Sequence, residues 1–87
     1  MKLYILYHIN DEFTRGVDEF ERECRNHTDQ VIEKLDVDTI EGSSIAKLYD
    51  VVSYPAVLAV SDDGQLYKGW QGPSLPVPAE VISNLNS

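Results

Sequence analysis

The stretch from residue 47 to residue 64, KLYDVVSYPAVLAVSDDG, constrains the fold of this chain more than any other. It combines the end of a helix, a turn at Pro55, an apolar run at Ala56–Val60 and a turn at residues 62–64. A short apolar run without alternation is typical of a strand buried on both faces. The glycine of the second turn supplies the positive φ that a tight hairpin needs. We therefore expect a buried strand followed by an antiparallel partner at residues 65–71.

The segments on either side of this stretch predict the element order β-α-β-α-β-β-α. The further elements are a strand at residues 3–9, a helix capped by Asn10 or Asp11, a strand at residues 31–37, a short helix capped by Ser43 or Ser44 that ends at Tyr49, and a last helix at residues 79–85. Strands joined through a helix are parallel with a right-handed crossover, whereas a hairpin is antiparallel. The sequence thus predicts an α/β fold with a four-stranded mixed sheet flanked by helices.

Two elements carry more specific expectations. In the first helix, the apolar residues form one stripe at positions i, i+4, i+7 and i+11: Phe13, Val17, Phe20 and Cys24. Such a stripe faces a core. Gly16 lies inside the same helix, where glycine costs about 1 kcal/mol relative to alanine, and the sequence offers no reason for it. On the last strand, simple alternation places Leu66, Lys68 and Trp70 on one face.

Composition restricts the possible partners. The chain has 87 residues, which suits one domain spanning residues 1–87, and a net charge of −8. Its seven basic residues are scattered among fifteen carboxylates, which argues against binding nucleic acid or an anionic membrane surface. No apolar run is long enough to span a membrane. The single cysteine excludes an internal disulfide or a cysteine-based zinc site and suits a reducing cytoplasm. We expect no cofactor and no metal ion.

Several segments taken together resemble the thioredoxin family. They are Lys34-Leu35-Asp36-Val37-Asp38, the helix Ile45-Ala46-Lys47-Leu48-Tyr49, the run Val51-Val52-Ser53-Tyr54-Pro55-Ala56, the pair Asp63-Gly64, and Gly72. Thioredoxins show a strand ending in Asp, a helix, a cis-proline turn, a strand, an Asx-Gly turn, a strand and a glycine in this order. The resemblance covers residues 34–85 by motif and residues 2–28 by element order. It implies a thioredoxin-like fold without the family's first strand and helix, as in the similar glutaredoxins.

The resemblance also implies where a binding surface lies and which chemistry is missing. Pro55 should be cis, and Tyr54 should offer its backbone to an extended peptide. The family's Cys-x-x-Cys would fall within residues 9–14, INDEFT, which contain no cysteine. The family's buried aspartate beneath that site has no counterpart either, because Ile5 and Tyr7 occupy the region. Dithiol–disulfide exchange is therefore implausible for this chain.

We consequently expect a redox-inactive module that binds a protein or peptide through a groove beside Pro55, as a monomer or weak dimer. The groove residues would be Asn10, Asp11, Thr14, Tyr54, Pro55 and Gly72. One alternative is a thiol-dependent oxidoreductase that uses Cys24 alone, although a thiol on the apolar stripe would be buried and inert. Another is dimerisation through residues 65–71. A cluster of His8 with Asp11 and Glu12 could also act as an acid–base or metal site, but a simple hydrogen bond is the more ordinary interpretation.

Overall fold

The computed structural model describes residues 1–9, 14–72 and 75–85. Its elements are β1 (Lys2–Tyr7), α1 (Thr14–His27), β2 (Val31–Asp36), α2 (Ile40–Leu48), β3 (Ala56–Val60), β4 (Leu66–Gln71) and α3 (Pro78–Leu85). This is the order that the sequence predicts. The proposed caps Asn10 and Asp11, and Phe13 of the apolar stripe, lie outside the described residues. Within the described part of the chain, no helix is both long and apolar enough to cross a membrane.

The four strands form one mixed sheet with the order β2-β1-β3-β4. β1 pairs with β2 in parallel, and it pairs with β3 antiparallel. β4 lies antiparallel to β3 and forms one edge of the sheet. β1 and β3 are thus the inner strands, and all five residues of β3 are buried. The predicted four-stranded mixed sheet is confirmed, and its inner strands are the two that lack polar alternation.

Helices cover both faces of the sheet, and each face has its own apolar core. On one face, Leu3 and Ile5 of β1 pack with the buried residues of α1 and α3; the helix residues in this core are Val17, Phe20, Cys24, Val81, Ile82 and Leu85. On the other face, Leu6 and Leu58 pack with Ala46 of α2 and with Val51. The stripe predicted for α1 is therefore buried from Val17 onward.

α2 begins about one turn earlier than the sequence predicts. Its N-cap is Thr39, whose Oγ1 accepts a hydrogen bond from the Gly42 N–H at 3.1 Å and donates to the Asp36 carbonyl at 2.6 Å. Ser43 and Ser44, the predicted caps, lie inside the helix. The early start is possible because Gly42 has no side chain: a Cβ there would overlap the backbone carbonyl of Asp36. The first turn of α2 thus packs directly against the end of β2.

The face pattern predicted for β4 is wrong at Leu66. The register pairs Leu66 with Val60 and Lys68 with Ala59, so Tyr67 is an extra residue at a β-bulge. A bulge reverses the alternation of side chains on the bulged strand. Lys68 and Trp70 consequently lie on the α1 and α3 face, whereas Leu66 lies on the α2 face with Val60.

Candidate functional site

Tyr54 and Pro55 lie where the end of β1 approaches the start of β3. The Tyr54–Pro55 peptide bond is cis, and Pro55 is buried. The imidazole of His8 packs edge-on against the Tyr54 ring, with a centroid separation of 4.9 Å and an interplanar angle of 80°. The Tyr54 hydroxyl donates to the Val51 carbonyl at 3.4 Å. These two contacts hold the half-buried Tyr54 side chain in one position.

Two further predicted site residues lie at the same end of the sheet. Thr14 is the first described residue of α1, and its Oγ1 donates to the backbone carbonyl of His8 at 3.3 Å. Gly72 directly follows β4 and has a φ of +128°, a conformation that favours glycine. Thr14 and Tyr54 thus both contact His8, and Pro55 follows Tyr54. Gly72 lies at the same end of the sheet, next to the pairing of Gln71 with Ala56. We name Thr14, Tyr54, Pro55 and Gly72 the cis-proline surface. The predicted groove residues Asn10 and Asp11 lie outside the described residues.

The segment that precedes Pro55 is tied to the end of β4 by one side chain. Oε1 of Gln71 accepts hydrogen bonds from the backbone N–H groups of Val52 and Ser53, at 3.0 and 3.3 Å. In contrast, the backbone N–H and C=O of Tyr54 make no hydrogen bond to any of residues 1–9, 14–72 and 75–85. Val52 is 82% exposed. Gln71 thus holds Val52 and Ser53, whereas the backbone of Tyr54 has no hydrogen-bond partner among the described residues.

An open cavity of about 440 Å³ adjoins Tyr54 on the α2 face. Its lining includes the apolar side chains of Val37, Ala46, Val51 and Val52, with His8 and Lys47 among the polar ones. Val37, Ala46 and Val51 are buried members of the core on that face. The cavity is therefore large and apolar enough to receive a side chain of a bound peptide.

The polar partner of His8 comes from the loop after β2. Nδ1 of His8 lies 3.3 Å from Oδ2 of Asp38, and both side chains are partly exposed. The partners proposed from the sequence, Asp11 and Glu12, lie outside the described residues. Among the residues that the structure describes, no group of three or more His, Cys, Asp or Glu side chains could hold a metal ion. The described geometry of His8 is that of a hydrogen-bonded side chain supporting Tyr54.

The sequence-based prediction does not include two contacts at this site. They are the hydrogen bond between His8 and Asp38 and the binding of the backbone of residues 52–53 by Gln71. His8 is the first residue after β1 and Asp38 the second after β2, and parallel neighbouring strands end at the same edge of a sheet. That parallel pairing could have placed the two side chains together. Gln71 gives no such signal, because a glutamine at a strand end has no characteristic partner. Its contact with the backbone of Val52 and Ser53 emerges only in the folded chain.

Solved thioredoxin structures superpose on nearly the whole chain. Thioredoxin 1 from Thermosipho africanus TCF52B aligns with a TM-score of 0.73 and 20% identity, covering 99% of this chain and 91% of its own. Oxidised thioredoxin from Plasmodium falciparum aligns with a TM-score of 0.78 and 17% identity, covering 99% of this chain and 81% of its own. Mitochondrial thioredoxin 3 from Saccharomyces cerevisiae aligns with a TM-score of 0.72 and 21% identity, covering 98% of this chain and 76% of its own. The chain has a thioredoxin-like fold.

At these identities the likeness concerns the thioredoxin-like fold and not the activity. No protein-family model matches the sequence, and no curated protein is significantly similar to it. Fold and function are separable, because function depends on the residues placed at a site. The chemistry open to this chain therefore depends on its own side chains, among which Cys24 is the single thiol.

Cys24, the single cysteine of the sequence, lies near the C-terminal end of α1. Its side chain is 0% exposed and packs in the core between the sheet and the two helices α1 and α3. Burial, reinforced by the negative charge of Glu23, raises the pKa of the thiol to about 11. The thiolate is the nucleophilic form of cysteine. A buried thiol with a raised pKa is consequently unreactive at neutral pH.

We expect native Cys24 to resist alkylation by iodoacetamide. At pH 8 its labelling should be at least about a hundredfold slower than in denaturant, because the thiol is both inaccessible and protonated. The folded pKa of about 11 exceeds the ordinary value of about 8.5. The neutral buried thiol therefore stabilises the fold below about pH 8.5, and this contribution is lost as the pH rises toward 11. Mass spectrometry of timed samples measures the rate, and comparable native and denatured rates would contradict the prediction.

Proposed function

We propose that this protein binds an extended peptide of a partner protein at the cis-proline surface and performs no thiol chemistry there. The observation that carries the proposal is the backbone of Tyr54, which has no hydrogen-bond partner among the described residues although its side chain is fixed by His8 and Val51. An extended peptide can pair with such backbone groups as an added strand does. Pre-ordered groups bind at a smaller entropic cost than mobile ones.

Side-chain recognition would come from the apolar surroundings of Tyr54. The exposed Val52 and the cavity of about 440 Å³ beside Tyr54 offer apolar contact on the α2 side. In strand-like recognition, backbone pairing supplies affinity and pockets for alternate side chains supply specificity. The burial of Cys24 supports a binding role over a redox role, because no other thiol is present in the sequence. The proposed partner is thus a protein segment with an apolar anchor residue.

Substituting Tyr54 tests this proposal directly. Peptides are first selected from a displayed random library on the immobilised protein, and their affinities are then measured by fluorescence polarisation. We expect Tyr54→Asp to weaken binding at least about tenfold, because an aspartate removes the aromatic contact and places a charge beside an apolar cavity. Amide shifts of the bound protein in ¹⁵N spectra should centre on Val52, Ser53 and Tyr54.

The matched control is Tyr67→Asp, which makes the same change on an exposed tyrosine of β4. Tyr67 lies at the opposite end of the sheet, beside the pairing of Leu66 with Val60. It should leave the affinity unchanged. Pro55→Ala provides a second variant at the site, and ¹⁵N spectra establish that each variant is folded. Selected peptides that bind Tyr54→Asp and Pro55→Ala as tightly as the unmodified protein would refute the proposal.

A further inference from the structure

A second groove lies on the sheet face opposite α2, between α1 and the residues that lead into and form α3. Two adjoining cavities of about 240 and 480 Å³ share Glu23 and Pro78 and together form this groove. We name it the α1–α3 groove. Its α1 wall includes Gly16, Glu19, Glu23 and His27, and its other wall includes Val77 and Ile82. The cis-proline surface does not share these residues.

Gly16 has no structural reason within the described chain. It is the third described residue of α1, and its φ is not positive, unlike those of the glycines Gly64 and Gly72. A Cβ at Gly16 would have no neighbour within 4 Å among the described residues. Glycine in a helix interior is destabilising relative to alanine. One use of a glycine that the described residues do not require is to let the backbone of another molecule approach closely.

The other residues of the groove indicate the chemistry of that molecule. Val77 is 65% exposed at the groove, so an apolar surface remains uncovered. Glu19 and Glu23 line the α1 wall, and no lysine or arginine is among the described residues that line the two cavities. Arg15 approaches Glu19 only at 4.0 Å and is almost fully exposed. An apolar groove with two glutamates complements an apolar segment that carries basic residues.

The length of the groove and the charge of the chain restrict the occupant further. Gly16 and His27 are eleven positions apart on α1, which corresponds to about 16 Å, or three helical turns. A second copy of this chain would bring another net charge of −8 to the glutamate wall, and like charges oppose association. We propose that the α1–α3 groove binds a basic amphipathic helix of a partner protein, with its backbone passing close to Gly16.

The test selects ligands from a displayed library of 18-residue helix-forming sequences on the unmodified protein. We expect enriched peptides to combine apolar residues at helical spacing with a net positive charge, and to shift the amides of Gly16, Glu23 and Val77 in ¹⁵N spectra. Gly16→Ala should weaken their binding about tenfold, and Gly16→Leu should abolish it, because the added side chain occupies the space of the ligand backbone. At the same time, Gly16→Ala should raise the melting temperature by about 4–8 °C.

Matched variants separate an effect at the α1–α3 groove from the effects of a larger helical side chain or of a changed net charge elsewhere. Ser44→Leu makes a similar change at an exposed helical position of α2 and should leave binding intact. The pair Glu19→Gln and Glu23→Gln should weaken binding and flatten its salt dependence. The pair Asp29→Asn and Glu41→Gln, with the same change in net charge elsewhere, should alter binding little. Tyr54→Asp should also bind normally, so this outcome is independent of the cis-proline surface.

Three results would overturn the proposal. The first is no enrichment of any helical peptide, and the second is enrichment of peptides that are neutral or acidic. The third is binding that Gly16→Leu leaves unchanged or that shifts amides away from the α1–α3 groove. A rise in melting temperature without any loss of binding in Gly16→Ala would likewise reject the role assigned to this glycine.

Discussion

Replacing Gly42 with alanine is expected to destabilise the fold by about 3 kcal/mol or more. The new Cβ would overlap the carbonyl carbon and oxygen of Asp36, and both are backbone atoms that no rotamer change can move away. Relief requires a shift of α2 away from β2, which would also disturb the Thr39 cap. For a chain of this size, that loss lowers the melting temperature by about 12 °C or more.

The control for Gly42 is the other helical glycine, Gly16, where the same substitution is expected to stabilise by about 1 kcal/mol. Urea denaturation followed by the fluorescence of the single tryptophan, Trp70, gives both free energies of unfolding. The two alanine variants should therefore change stability in opposite directions. Equal effects at the two positions would show that the contact between Gly42 and Asp36 does not govern the start of α2.

Replacing Leu58 with alanine is expected to cost about 3–4 kcal/mol of unfolding free energy. Leu58 is fully buried at the middle of β3, in the core between the sheet and α2. Its removal leaves a cavity under strands that pair on both sides, with Tyr4 of β1 and with Gly69 of β4. Such a site relaxes poorly, because the neighbouring backbone is held by the sheet.

Leu48→Ala is the matched control for Leu58→Ala. Leu48 is the last residue of α2 and is 66% exposed, so its truncation removes little buried apolar surface and should cost less than about 0.5 kcal/mol. Equilibrium urea unfolding of the two variants at one temperature measures the difference. A cost for Leu58→Ala below 1 kcal/mol would contradict the central position of β3 in the fold.

Much of the fold follows from the sequence because hydrophobic patterning and turn residues agree with each other. The apolar run of β3, the stripe that includes Val17, Phe20 and Cys24, and the Asp63-Gly64 turn all predict elements that the structure contains. The start of α2 does not follow, because glycine weakens a helix, and the pattern therefore favours a start after Gly42. Only the tertiary contact with Asp36 makes that glycine suitable.

Only those parts of the candidate site that are local motifs can be predicted from the sequence. The Tyr54-Pro55 pair and the absence of a Cys-x-x-Cys can be read in the sequence. The contacts that hold Tyr54 cannot, because they join residues distant along the chain: His8 packs on its ring, and Gln71 binds the backbone of Val52 and Ser53. The position of Leu66 was missed because a bulge inserts one residue into the alternation without a glycine to mark it.

The bulge at Tyr67 also bears on strand addition by other copies of the chain at the β4 edge. β4 is an edge strand, and a regular edge strand is a template for uncontrolled strand addition and aggregation. An extra residue breaks the even spacing of backbone groups and increases the local twist. A neighbouring chain in ordinary extended geometry would lose the regular ladder at this point. The same irregularity that reverses Leu66 thus shortens the regular part of this edge to residues 68–71, which limits the length over which fibril-like stacking could begin.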